Sequence, residues 1–106
     1  MQMVITRVQV KPGAVDACAA LFGKTNPDLV RNQPDWLEAR MVVDRDTDTI
    51  TVMALWQNAH SYHEMRNTSA FRDVMQGFGE FFASPPDVSI NDVLVDMTAD
   101  CVQAKS

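Results

Sequence analysis

Polar and apolar positions alternate with period two at the start of the chain. Val4, Thr6, Val8 and Val10 interleave with Ile5, Arg7 and Gln9. Period two in β-branched residues predicts a strand. Lys11-Pro12-Gly13 ends it. From Ala14 the period lengthens, with apolar residues at Val15, Cys18, Ala19 and Phe22. That is the spacing of one helix face. Pro27 lacks the N–H that a helical ladder needs and clashes with the preceding turn. A break or kink is therefore expected near Asn26, with Leu29 and Val30 on a second short turn and Pro34-Asp35 closing the region.

Trp36 to Val43 reads as a second strand and Ile50 to Trp56 as a third. The short polar link between them predicts an antiparallel hairpin. Asp44, Asp46 and Asp48 in that link alternate like the start of a calcium loop. Such a loop needs glycine where Thr49 stands and glutamate where Leu55 stands, so the link is read as a solvated turn. Asn58 fits the N-cap of a short helix to about Arg66. Thr68 or Ser69 then caps a longer helix with an apolar face of Phe71, Val74, Met75, Phe78 and Phe81. Gly77 and Gly79 weaken it by roughly 1 kcal/mol each relative to alanine. Ser84-Pro85-Pro86 stops it, and Val88, Ile90, Val93 and Val95 predict a last strand over Asp87–Asp96.

The order strand, helix, strand, strand, helix, strand specifies a split β-α-β unit. The expected fold is α+β and ferredoxin-like, a four-stranded antiparallel sheet with helices on one face. One domain is expected over residues 1–98, with 99–106 as a polar tail. Met41-Val42-Val43 and Val52-Met53-Ala54-Leu55 put apolar residues on both faces of their strands. A solvated outer face alternates to polar. The open face is therefore expected to be buried against a second copy, giving a homodimer, with Arg7 and Arg40 pairing with acids across it.

Composition narrows the function classes. Nine basic residues against fourteen acidic ones leave a net charge of −5. That argues against nucleic acid, whose affinity comes largely from Lys and Arg neutralising phosphates. No stretch approaches the ~20 apolar residues of a membrane span, so no membrane partner is expected. The N-terminal alternation is unlike a signal peptide. The two cysteines, Cys18 and Cys101, are too few and too far apart for a disulfide framework. They are read as reduced thiols of a cytoplasmic protein. Phosphate-loop, dinucleotide, G-x-S-x-G and C-x-x-C motifs are missing.

His60 and His63 are the only histidines, and Glu64 follows. Helical zinc pairs more often use His at i and i+4 with a third ligand elsewhere, so no metal is expected. Histidine titrates near neutral pH and suits abstraction of a phenolic proton. His63 is the better candidate, because it lies nearer the face shared by Tyr62 and Met65. Tyr62, the only tyrosine, has a hydroxyl able to hydrogen-bond a substrate oxygen.

The strand ending Val10-Lys11-Pro12-Gly13, the Pro34-Asp35 entry to the hairpin, Trp56 closing the third strand and Phe71 opening the last helix resemble the antibiotic biosynthesis monooxygenase domain. The resemblance covers about residues 3 to 97. It implies a dimeric α+β barrel. Among its activities are oxidations of quinols or anthrone-like aromatics by molecular oxygen without metal or flavin. The chain departs from the family at Met65 and Ala70, positions often occupied by His, and at Ala54, often acidic. Positions matching the haem-degrading Asn, Trp and His fall at Thr6 or Arg7, Met65 and Met75, so haem degradation is disfavoured. The resemblance implies a cofactor-independent monooxygenase acting on a small aromatic or quinol-like metabolite. Its pocket is expected between the sheet and residues 58–82, lined by Thr6, Trp56, Met65, Phe71, Met75 and Phe78, with His63 and Tyr62 as the catalytic candidates and no cofactor. The alternatives are a non-catalytic ligand-binding dimer of the same fold, and a haem-binding relative whose axial ligand is His60 or His63.

Overall fold

The computed structural model describes residues 1–103. The first strand, β1 (Gln2–Gln9), lies inside the sheet. It pairs antiparallel with β3 (Thr49–Trp56) on one side and β4 (Asp87–Asp92) on the other, and β2 (Trp36–Asp44) adds to the far edge of β3. The order is β2-β3-β1-β4. Three helices complete the domain: α1 (Val15–Val30), α2 (His60–Arg66) and α3 (Ser69–Gly79). The α+β ferredoxin-like fold expected from the pattern is the one observed.

The alternation in β1 does what period two requires. Val4, Val8 and Val10 point to the helices and are 5% exposed or less. Two clusters form the core. One gathers Val8, Val10, Val15, Cys18, Ile50 and Phe78, and the other Val4, Val30, Trp56, Tyr62 and Met65. The hairpin turn is closed by the Asp44 carboxylate, which accepts from the Asp46 N–H at 3.0 Å. Asp48 takes a positive φ of 52°, a conformation that Asp tolerates better than most residues.

Three boundaries differ from expectation. Helix α1 runs unbroken through Pro27 to Val30. Thr25 Oγ1 donates to the Leu21 carbonyl at 2.8 Å, a back-bond that bends helices slightly. Strand β4 stops at Asp92 rather than Asp96: Gln2 with Asp92 is its last ladder pair, and beyond it the Val93 N–H still donates to the Met1 carbonyl at 3.0 Å. Leu94, Val95 and Met97 lie beyond it and are 91%, 72% and 71% exposed. The expected polar tail contains a short helix, α4 (Ala99–Gln103); its residues 104–106 lie outside those described. None of the described helices is long and apolar enough to cross a membrane.

Candidate active site

A cavity of ≈ 150 Å³ lies between the inner face of the sheet and helices α1, α2 and α3. Strand β1 contributes Thr6, β3 contributes Trp56, α2 contributes Tyr62 and Met65, and α3 contributes Phe71, Met75 and Phe78. The structure thus gathers seven of the eight expected site residues on one wall. His63 is exposed and does not line the cavity. Each helical residue turns about 100° from the last, so Tyr62 and Met65 share the inward face and His63 points outward. His60 is exposed as well, and its Nε2 lies 3.0 Å from Glu64 Oε1.

Local sequence explains how α2 is held. The expected Asn58 cap is displaced by one residue: the N-cap position falls at Ala59, which makes no side-chain cap, while Asn58 Oδ1 accepts from the His60 N–H at 2.8 Å in an Asx turn just before the helix. The Ala59 N–H donates to Gln2 Oε1 at 2.8 Å, tying the helix start to β1. Ser61 is 5% exposed, and its hydroxyl donates to Asp35 Oδ2. Asp35 also accepts the Gln57 N–H at its backbone carbonyl. These ties set Tyr62 edge-on to Trp56, with ring centroids 5.8 Å apart and planes at 65°.

The chemistry of the wall is unusually neutral. No Asp, Glu, Lys, Arg or His lines it. Its ionisable side chains are Cys18 and Tyr62. Burial pushes the Cys18 thiol up. Burial also pushes the Tyr62 phenol up, partly offset by the positive charge of Arg66. Both therefore keep their protons at neutral pH. Trp56 is 1% exposed, and its Nε1–H has no hydrogen-bond partner. An unpaired buried donor costs about 1–3 kcal/mol in desolvation. The wall offers no side chain that accepts a proton near pH 7. Among the described residues, no three His, Cys, Asp or Glu side chains are grouped to hold a metal ion.

Helix α1 supplies wall residues that the sequence reading did not name: Cys18, Phe22, Thr25, Asn26, Leu29 and Val30. They recur at three- and four-residue spacing through Pro27, so the signal was present in the periodicity. Reading a break at the proline concealed it.

The family profile described as antibiotic biosynthesis monooxygenase matches residues 1–77. No curated protein gives a match. Solved structures share the architecture. A Bordetella bronchiseptica protein superposes with a TM-score of 0.79 at 19% identity, covering 89% of this chain and 97% of its own. A mutant of SnoaB, a cofactor-independent oxygenase from Streptomyces nogalater, gives 0.76 at 14% identity over 91% and 95%. Rv0793 from Mycobacterium tuberculosis gives 0.74 at 18% identity over 92% and 98%. At these identities the likeness is one of fold.

Proposed function

The chain belongs to the antibiotic biosynthesis monooxygenase family, and from that premise we propose that it oxidises a small aromatic or quinol-like metabolite with molecular oxygen and no bound cofactor. The observation that carries the reading is the cavity wall, which is mostly apolar, carries no charged side chain and includes a protonated Tyr62.

An electron-rich phenolate reduces oxygen without help from a prosthetic group. With a hydroquinone bearing a free ring position, one atom of O2 forms the new C–O bond. The other leaves as water with two hydrogens from the substrate. The substrate supplies all four electrons, so hydroquinone and O2 give hydroxyquinone and water with no external reductant. The protein's part is to orient the ring, exclude water and stabilise the developing oxyanion. Tyr62, the one phenol among the lining residues, is the donor to that oxygen in this reading. Because the wall holds no group that accepts a proton at neutral pH, the substrate releases its phenolic proton to water on entry. His63 faces solvent in this reading and plays no part inside the cavity.

The same reading makes the protein a homodimer through the open sheet face, where Ile5 and Met53 stand opposite each other in register and Val42 is 44% exposed. The free thiols of Cys18 and Cys101 suit a cytoplasmic protein.

The test is oxygen uptake by metal-stripped protein against hydroquinones, catechols and anthrones. Uptake above the uncatalysed rate with at least one class supports the proposal. The missing base favours a second reading, a binding protein without turnover. Saturable binding with no uptake across the panel selects that one.

A further inference from the structure

Resting on the reading above, in which the cavity takes a small aromatic molecule, we infer that this molecule enters and leaves over strand β4, with Val88 at the mouth, and not between the helices.

Exposure locates the mouth. Of the described residues that line the cavity, Val88 alone is exposed, at 36%; the others are buried or half-buried. Val88 pairs with Thr6, and Ile90 with Val4, across the antiparallel ladder of β1 and β4. Residues opposite each other in such a ladder present their side chains to the same face. Val88 and Ile90 therefore stand on the inner face of the sheet, beside Thr6 and Val4. Val4 is 2% exposed and Ile90 is 38% exposed, so the cover is lost within one strand. The helix layer ends between β1 and β4, and every residue of β4 is exposed.

Elsewhere the layer is shut. Helix α1 packs against β2 and α3, and α2 packs against α3. A Cβ at Gly77 would sit 3.5 Å from Leu21 Cδ2, which is ordinary contact between α1 and α3. One end of the layer is tied down where the start of α2 meets Gln2 and Asp35. The other end is tied down where the chain leaves α3. There Phe82 bridges to Val10, the Lys11 N–H donates to the Phe81 carbonyl at 2.8 Å, and the Ala83 N–H donates to the Gln9 carbonyl at 2.8 Å. The untied margin lies between these ends, along β4. Pro86, Val88 and Ile90 make that margin apolar, and the first two continue into the cavity wall.

A residue at a mouth sets the height of a barrier rather than the depth of a well. Filling it slows entry and exit by the same factor and leaves Kd unchanged. Filling a wall position changes Kd instead, chiefly through the off-rate.

The experiment plugs the mouth after folding. Cys101→Ser removes the exposed thiol, and Cys18, 1% exposed, is expected to stay unmodified. Val88→Cys is then added and reacted with benzyl methanethiosulfonate, whose benzyl disulfide is released again by reduction. Arg72→Cys, at an exposed position of α3 outside the cavity, carries the same adduct as control. The probe is 4-methylphenol with a ¹³C-labelled methyl group, and NMR line shapes across a titration give Kd and both rates. The adduct at position 88 is expected to lower the on-rate and the off-rate by about tenfold each, to leave Kd within about twofold, and to be reversed by reduction. The adduct at position 72 is expected to leave both rates within about twofold. Unchanged rates with the plug at 88, or equal slowing by the plug at 72, overturn the assignment of the route. A weaker Kd with an unchanged on-rate makes Val88 a wall residue and overturns it as well. Failure of the unplugged protein to bind 4-methylphenol also overturns it, because a cavity that admits no aromatic ring has no such entrance. All of these read binding alone. An absence of oxygen uptake leaves the route standing, and its failure leaves the proposed oxidation to be judged by its own assay.

Discussion

At the scale of single residues, Tyr62 and His63 are neighbours in sequence with opposite surroundings. Tyr62 is 7% exposed and lines the cavity, while His63 is exposed outside it. Tyr62→Phe removes one donor and keeps the ring. It is expected to lower kcat/KM for oxygen uptake by at least about tenfold, since a single donor to a developing oxyanion is worth that much or more. His63→Ala is expected to leave it within about twofold, as exposed substitutions generally do. Steady-state oxygen electrode kinetics on both variants check the pair, and the reverse ranking would return the base to His63. Protons give a further test. Cys18 and Tyr62 both hold their protons more tightly when buried. The unfolded chain loses them first as pH rises, so it binds fewer protons than the folded one and stability falls. The contribution is fully present below the ordinary thiol range, near about pH 8.5, and is lost progressively above it. Urea midpoints measured from neutral to alkaline pH are expected to drop through this range. In Cys18→Ala the drop starts later, near the ordinary tyrosine value of about 10.

At the scale of elements, α3 carries the clearest tests. Thr68 caps it: Oγ1 accepts from the Phe71 N–H at 3.2 Å and donates to the Met65 carbonyl at 2.7 Å. Thr68→Ala is expected to cost about 1 kcal/mol in urea unfolding. Gly77→Ala has the opposite sign. The new methyl meets Leu21 at 3.5 Å, an ordinary contact, and the helix gains about 0.5–1 kcal/mol from the lost glycine freedom. These elements were legible because their forces are local. Period two in β1, three- and four-residue spacing in α3, and a side chain able to cap at Thr68 each act within a turn or two. The cavity wall was legible for the same reason, since Thr6, Met65, Phe71, Met75 and Phe78 are the inward members of periodic faces. What the sequence hid depends on distant partners. Pro27 is strongly unfavourable in an isolated helix, yet Leu29 and Val30 pack against the sheet and hold α1 together. The rotation of α2 that turns His63 outward follows from the ties to Gln2 and Asp35, 57 and 26 residues away. The unpaired Trp56 N–H is likewise a property of the packed state.

At the scale of the whole molecule, the sheet has two faces and one chain covers only one of them. Thr6 and Val52 point into the cavity, so Ile5 and Met53 point the other way and stand opposite each other across β1 and β3. Val42 is 44% exposed, and beyond β4 the run Leu94, Val95 and Met97 is almost bare. Exposed apolar side chains grouped on a face mark an interaction site. Light scattering on the wild-type protein is expected to give twice the chain mass. The double variant Ile5→Glu/Met53→Glu places two like charges on that face and is expected to give the mass of one chain. A wild-type monomer would remove the homodimer from the proposal. The cavity supplies the control, because its wall residues lie on the inner face of the sheet and on the helices rather than on the open face. Changes at distant sites add within about 0.5 kcal/mol. The monomeric variant is therefore expected to bind 4-methylphenol within about twofold of wild type. A larger loss would mean that the second copy shapes the cavity.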